Sequence, residues 1–246
     1  MLGVVTAINA PNGDIGRRRK PLGLGHVLMT LEHMLIVTWR APEAELRRHL
    51  PAALEPVVED GAGFVSAVLF CNHDVRPAVV EFPSLRMSQM NVRVYVRSPR
   101  TGEPGSVFFI GLYGSRPLFG RLSSWLFGLP FQHLAIEITA RDERGVVEWN
   151  ARAADGSLAV HARETHADIS TPTLDLLTNP HTGYFLDRRG TLRRWSIWHR
   201  PKQIRTMHVE HATLDCLRDL AVTDMMPALY VRSADYEVYF PPRAAS

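Results

Sequence analysis

The sequence predicts an α+β protein that consists mainly of antiparallel β-sheet, with a few short helices. Short apolar segments with strand-like alternation recur at close spacing, and turn residues separate them, as in segments 142–145 and 187–190. These connections are too short for βαβ crossovers, which favours hairpins and meanders. Without an internal repeat or a linker, the 246 residues predict one domain over residues 26–243, after an irregular N-terminal arm over residues 1–25.

The clearest strand is segment 89–96, in which two kinds of side chain alternate strictly. One face is apolar and consists of Met90, Val92, Val94 and Val96. The other face consists of Gln89, Asn91, Arg93 and Tyr95. A turn rich in Gly and Pro then leads into a second strand over residues 107–113. The polar face is either an ordinary solvent-exposed strand face or the wall of a binding site, and alternation alone does not separate the two.

The remaining elements follow from local patterns in the same way. Apolar, β-branched or alternating segments predict strands over residues 27–39, 63–70, 134–138, 146–152, 158–165, 184–186, 192–198, 204–212, and either 228–231 or 236–240. Helical spacing, with proline or acidic residues near the start, predicts short helices over residues 42–50, 118–127, 173–178 and 214–220.

Composition limits the possible partners and the compartment. There are 28 basic and 25 acidic residues, and the formal charge of +3 is too small to indicate a nucleic-acid or membrane-binding surface. Cys71 and Cys216 belong to no metal-binding spacing, which favours reduced thiols in the cytoplasm. The apolar segment 125–138 is too short and too polar to span a bilayer. We therefore expect a small-molecule ligand as the partner.

Six segments together resemble the bacterial YqjF-like family (DUF2071), which is related to the acetoacetate decarboxylase superfamily. They are segments 46–51, 91–96, 102–109, 128–131, 184–186 and 199–201, and the resemblance spans roughly residues 30–240. It implies a cone-like or barrel-like sheet around a central cavity, with a few short peripheral helices outside. It also implies assembly into a homo-oligomer and, in such a cavity, a polar face of segment 89–96 that lines the pocket.

The resemblance also shows where this chain departs from the decarboxylases. Those relatives form a Schiff base through a lysine in a Pro-Lys-Lys-Leu-Ala segment, and the similar segment here, residues 130–135, contains no lysine. The position of their pocket glutamate is matched by Gln89. The chain has only two lysines, Lys20 and Lys202, and neither matches the catalytic position. We therefore expect no imine-forming decarboxylation, because an imine requires an amine of lowered pKa in an apolar pocket.

The candidate catalytic residues are His133, Arg93 and Tyr95. Arg93 is suited to hold a carboxylate or enolate oxygen, and Tyr95 is suited to donate a hydrogen bond. His133 follows the Pro130 break and is a candidate acid or base near neutral pH, although a histidine at a strand start often only bonds to the backbone.

The candidate substrate-binding residues lie in the same strand and near His133. They are Gln89, Asn91, Arg116, Arg121 and Gln132. Arg116 and Arg121 bracket the predicted helix 118–127 and are either an anion clamp or ordinary solvated arginines.

The sequence gives little support for a metal site or a cofactor site. His208 and His211 face opposite sides if segment 204–212 is a strand, so we expect no metal. His199 lies near Trp195 and Trp198, where core packing is an equally good explanation. The sequence contains no nucleophile elbow, phosphate loop or dinucleotide fingerprint, and we expect no cofactor.

The function that these residues predict is an enzyme of secondary metabolism acting on a small carbonyl-bearing or polyketide-like acid. Lyase, isomerase or cyclase chemistry suits such a cavity, because each requires proton transfer and enolate stabilisation without a covalent amine. The alternative is a protein of the same fold that binds a small ligand without catalysis. A structural interaction module, with no cavity, is a third possibility.

Overall fold

The computed structural model describes residues 20–23, 25–79, 85–143 and 146–245, and the backbone of Ile8–Asn9. Most of the N-terminal arm predicted over residues 1–25 lies outside these described residues. The boundaries of the single domain predicted over residues 26–243 therefore stay a prediction.

The strands are numbered in chain order. They are β1 (Ile8–Asn9), β2 (Val27–Pro42), β3 (Glu55–Pro56), β4 (Val58–Glu59), β5 (Ala62–Pro77), β6 (Leu85–Arg97), β7 (Ser106–Gly114), β8 (Phe131–His133), β9 (Ile136–Glu143), β10 (Val146–Ala153), β11 (Leu158–Thr165), β12 (Thr182–Leu186), β13 (Leu192–His199), β14 (Gln203–Leu214) and β15 (Ala228–Ala244). The helices are α1 (Glu43–His49), α2 (Pro117–Phe127), α3 (Thr171–Thr178) and a 3₁₀ helix, Asp215–Leu220.

Seven strands close into a barrel in the order β13-β12-β7-β6-β5-β2-β15, because β13 also pairs with β15. The barrel is mixed, since β12 pairs with β7 in parallel while the other neighbours are antiparallel. From β15 the sheet continues outward through β14, β11, β10 and β9. The predicted α+β class with a mainly antiparallel, barrel-like sheet is confirmed.

On the barrel strands β5 and β6 both faces are buried over much of their length, and two apolar cores result. On β6, Met90, Val92 and Val94 point outward and pack in one core with Trp149 of β10. Alternate residues point inward, where Tyr95 packs with Phe109 and other interior side chains in the second core. The Trp149 indole nitrogen donates to the carbonyl of His33 at 2.9 Å, which ties the outer sheet to the barrel.

Helix α3 packs Leu174 and Leu177 into the inner core. Its start is capped by Ser170, whose hydroxyl accepts from the backbone nitrogen of Thr173. An α-helix leaves its last carbonyl groups without partners inside the helix. The end of α3 therefore offers carbonyl acceptors close to the barrel interior.

Helix α2 buries its smallest residues and exposes four large apolar ones. Gly120, Ser123 and Ser124 face the protein. The exposed large apolar side chains are Leu118, Leu122, Trp125 and Leu126. Gly128 ends the helix with a left-handed φ of 69°. Within the described ranges, no helix has the length and apolar character needed to cross a membrane.

The C-terminal region differs from the sequence prediction. In place of a strand over residues 228–231 or 236–240, one long strand, β15, runs over the whole region. Its register with β2 extends from Leu229 to Val238, so the polar stretch between the two predicted strands is held in the sheet by its pairing with β2.

Candidate functional site

The barrel encloses a cavity of about 190 Å³. Most of its lining is aromatic or aliphatic, with aromatic side chains from Phe70, Phe109, Phe119, Phe127, Phe131, Trp195 and Phe240. Sites for drug-sized ligands usually measure about 300–1,000 Å³. The cavity therefore suits a ligand smaller than those.

A polar strip crosses this apolar wall along β5 and β6. Asn72, Gln89, Asn91 and Arg93 all line the cavity. The Asn72 amide donates to Gln89 Oε1 at 2.7 Å, and the Gln89 amide donates to Asn91 Oδ1 at 2.8 Å. Asn72 Oδ1 is buried without a hydrogen-bond partner among the described residues. Such an orphaned acceptor is a place where a ligand group can bond.

Arg93 is the positive charge of the strip, and it is only 8% exposed. Its Nη2 donates to the carbonyl of Leu177 at 2.7 Å and to the Tyr95 hydroxyl at 2.8 Å. The carbonyl belongs to the last turn of α3, where the helix dipole favours a cation. Nη1 has no hydrogen-bond partner in the part of the chain that the structure describes. Two nitrogens are thus fixed by the protein, and the third is open to a ligand.

Tyr95 lies behind Arg93 and does not line the cavity. It is fully buried, and its hydroxyl bonds to Ser66 Oγ at 3.0 Å and donates to the carbonyl of Leu177 at 3.1 Å. The sequence predicted direct contact with a ligand, whereas the structure gives Tyr95 the position of a support that orients Arg93.

The structure does not bring His133 or Gln132 to the cavity. Both side chains are exposed on β8, and Phe131, the first residue of that strand, is the one that lines the cavity. The Phe131 ring packs against Gly114 and Gly120, positions without side chains that leave room for it. The structure therefore does not bring the three candidate catalytic residues Arg93, Tyr95 and His133 together at the cavity, because the residue of β8 that lines it is aromatic.

Arg116 and Arg121 are also exposed, and neither lines the cavity. Arg116 donates from Nε to the carbonyl of Arg86 at 3.3 Å. These two arginines therefore do not form an anion clamp at the polar strip. The residues of α2 that line the cavity are Phe119, Ser123 and Phe127.

Nothing in the sequence marks Lys202 as a catalytic residue, but the structure buries its side chain. It is only 4% exposed and contacts Tyr236, which lines the cavity. Its Nζ donates to the carbonyl of Thr178, bonds to the Tyr236 hydroxyl at 3.0 Å and lies 3.3 Å from His199 Nε2. Burial lowers the pKa of Lys202 well below its usual range, and the charge of Arg93 lowers it further, while Asp175 opposes the shift.

His199 is buried and neutral. Its Nδ1 lies 3.0 Å from the carbonyl of Arg200, which can only accept, so Nδ1 carries the proton and Nε2 accepts from Lys202. Burial lowers the pKa of His199 to about 3, and the charge of Lys202 adds to the shift. His199 is therefore packed inside the protein, as the sequence allowed, and it also makes a polar contact with Lys202.

Tyr236 joins this buried group to the cavity, which it lines. Burial raises the pKa of its hydroxyl, so the side chain is protonated at neutral pH. One sequence signal could have found it: Tyr236, Val238 and Phe240 alternate along β15, and all three line the cavity. Lys202 lies between two strands and has no such periodic signal.

Metal ligands are not grouped in the described ranges. No cluster of three or more His, Cys, Asp or Glu side chains there has the arrangement needed to hold an ion.

Solved structures share this fold across almost the whole chain. The enduracididine biosynthesis enzyme MppR complexed with pyruvate matches with a TM-score of 0.62 at 14% identity, over 99% of each chain. The acetoacetate decarboxylase of Legionella pneumophila matches with a TM-score of 0.60 at 14% identity, over 96% of this chain and 94% of that one. An acetoacetate decarboxylase-like enzyme from Sphingomonas wittichii RW1 matches with a TM-score of 0.57 at 16% identity, over 88% and 91%.

The family model that matches residues 28–235 is DUF2071, described as an uncharacterized conserved protein. No curated protein matches the chain by sequence. Since the matched range covers most of the 246 residues, the family resemblance predicted from the sequence is confirmed. The chain belongs to the DUF2071 family, and it has the fold of the acetoacetate decarboxylase-like enzymes.

Proposed function

We propose that this protein is an enzyme that binds a small carbonyl-bearing acid in the barrel cavity and stabilises its enolate at Arg93. The observation that carries the proposal is the open Nη1 of a buried arginine in a cavity that is otherwise mainly apolar. A charge-assisted hydrogen bond to a carboxylate or enolate oxygen is strong in such surroundings. MppR, which has the same fold, is described in complex with pyruvate.

The chemistry we propose requires no Schiff base. No lysine is among the described residues that line the cavity. Lys202 Nζ is held by Thr178, His199 and Tyr236, and an imine with a substrate would break these contacts. Lyase, isomerase or cyclase reactions proceed through an enolate and fit this arrangement. We expect no acetoacetate decarboxylation, and borohydride treatment in the presence of pyruvate should leave the protein mass unchanged.

Exchange of the pyruvate methyl protons in D₂O tests the proposal, because exchange requires formation of the enolate. Proton NMR should show loss of the methyl signal with the wild-type protein and with Arg97→Gln, which alters an exposed arginine on the same strand. Arg93→Gln should abolish the exchange. Absence of exchange with the wild-type protein, together with Arg93-dependent binding, would instead support the alternative of a non-catalytic binding protein.

Assembly and location are separate proposals. We expect a homo-oligomer, and light scattering coupled to gel filtration tests it, since a monomer at all concentrations would contradict it. The cytoplasmic location and the role in secondary metabolism stay predictions from the sequence and the family resemblance.

A further inference from the structure

We propose that Tyr236 and Lys202 form a proton-transfer pair for the ligand held at Arg93, with Tyr236 as the catalytic residue and Lys202 as its proton reservoir. This inference rests on the proposed enolate chemistry and names the group that moves the proton. Two observations carry it: Tyr236 lines the cavity, and its hydroxyl lies 3.0 Å from Lys202 Nζ, which is buried behind it.

The surroundings of Lys202 satisfy both of its protonation states. As an ammonium group, Nζ has three hydrogens for three acceptors, namely the Thr178 carbonyl, His199 Nε2 and the Tyr236 hydroxyl oxygen. As a neutral amine, it donates to Thr178 and His199 and accepts the Tyr236 proton with its lone pair. Only the Tyr236 hydroxyl hydrogen has to rotate between the two states. The structure therefore does not lock Lys202 into either one.

His199 supports this exchange by remaining neutral. Its Nδ1–H group donates a hydrogen bond to the Arg200 carbonyl, so Nε2 offers a fixed lone pair to Lys202. A protonated His199 would instead repel the ammonium form of Lys202. His199 is thus a positioning residue that acts through Lys202.

The charged groups around Lys202 link its protonation to ligand binding. Arg93 from β6 and Asp175 from α3 act on Lys202 by charge. His199 from β13 and Tyr236 from β15 contact it directly. Behind these two, His181 acts on His199, and Tyr95 from β6 acts on Tyr236. Arg93 disfavours the ammonium form, whereas Asp175 favours it. An anion bound at Arg93 offsets the guanidinium charge, so it raises the pKa of Lys202 and favours proton uptake.

The proton movements balance in both directions. When the enolate forms, the C–H bond next to the carbonyl breaks and its proton goes to the Tyr236 oxygen. The Tyr236 O–H bond breaks as its proton passes to Lys202 Nζ, and the electron pair of the C–H bond becomes the enolate charge that faces Arg93. The return path moves the proton from the ammonium group to Tyr236 and from Tyr236 to carbon. In D₂O, exchange of the Lys202 proton with solvent introduces deuterium.

Pyruvate binding and methyl exchange, measured on the same variants, test this pair. Tyr236→Phe removes only the hydroxyl and should bind pyruvate within about threefold of the wild-type protein, while exchange falls by about a hundredfold or more. Lys202→Met should also lose exchange and should abolish the proton uptake that calorimetry in two buffers detects on binding. His199→Gln keeps an acceptor for Lys202 and should retain most of the exchange.

The outcomes separate the two proposals. Tyr236→Phe with exchange equal to that of the wild-type protein would overturn the pair while leaving the site at Arg93 intact. Proton uptake that persists in Lys202→Met would overturn the reservoir role. If the wild-type protein shows neither binding nor exchange of pyruvate, the proposed function itself fails, whatever the variants do.

Discussion

Arg93 donates from both Nε and Nη2 to the hydroxyl of Tyr95, at 3.2 and 2.8 Å. The two residues are neighbours on the same face of β6, and the same hydroxyl also contacts Ser66 and the end of α3. This fork fixes the guanidinium plane, so Arg93, which lines the cavity, can bind a ligand without the entropy loss that a mobile arginine would suffer on binding.

Removing the Tyr95 hydroxyl should loosen Arg93 and destabilise the fold. Tyr95→Phe leaves the buried Nε of Arg93 without its acceptor and removes one of the two partners of Ser66 Oγ, which costs about 1–3 kcal/mol. Urea unfolding measures the loss. Tyr113→Phe is the matched control, since the Tyr113 hydroxyl has no hydrogen-bond partner in the described part of the chain, and it should change stability by less than about 0.5 kcal/mol. Equal effects of the two substitutions would contradict this role of Tyr95.

Ligand affinity should depend on the charge of Arg93 and not on the charge of other arginines. In Arg93→Gln the charge-assisted bond is lost, which is worth about 1.5–3 kcal/mol, or roughly a tenfold to hundredfold loss in pyruvate affinity. Calorimetric titration gives the affinity. Arg97→Gln, on the same strand and exposed, should bind as the wild-type protein does. Unchanged affinity in Arg93→Gln would place the ligand elsewhere.

Filling the cavity should prevent binding without unfolding the protein. Ser123 on α2 faces the cavity of about 190 Å³, and Ser123→Met extends a flexible apolar side chain into it. We expect at least about a tenfold loss in pyruvate affinity with a melting temperature that is equal or higher. Leu122→Met changes an exposed neighbour and is the control. If Ser123→Met retains full affinity, the cavity is not the binding site.

Acid should destabilise the fold through His199. The unfolded residue takes up a proton below its ordinary pKa of 6.5, whereas the folded residue does so only near 3. Stability therefore falls as the pH falls through this interval, by up to ~1.4 kcal/mol per pH unit for this group. Urea unfolding of His199→Gln over the same interval should show a shallower slope. His208→Gln, an exposed control, should keep the slope of the wild-type protein.

The β6 part of the polar strip could be predicted from the sequence because it obeys a local rule. Gln89, Asn91 and Arg93 alternate along one strand, and alternation assigns them to one face whatever the rest of the fold does. The resemblance then indicated that this face lines a cavity. His133 does not line the cavity, although its segment matches the family. A matched segment gives the position of a residue in the chain but not the direction of its side chain, and on β8 it is Phe131 that lines the cavity.

The buried group behind the strip could not be predicted in this way. Lys202, His199 and Tyr236 come from a loop and two strands, and they meet only because β13 and β15 pair to close the barrel. The α3 carbonyl that Lys202 contacts is fixed by tertiary packing as well. Alternation along β15 can mark the face that carries Tyr236, but the closure that brings Tyr236 to Lys202 and His199 leaves no periodic trace in the sequence, so only the three-dimensional structure reveals these contacts.

A crystal structure of the protein with pyruvate tests the central claim most directly. We predict one pyruvate in the barrel cavity, with a carboxylate or carbonyl oxygen within hydrogen-bonding distance of Arg93 Nη1 and no covalent bond to the protein. Density that continues from the pyruvate carbon into Lys202 Nζ would contradict the non-covalent chemistry. An empty cavity, with pyruvate bound elsewhere, would contradict the site itself.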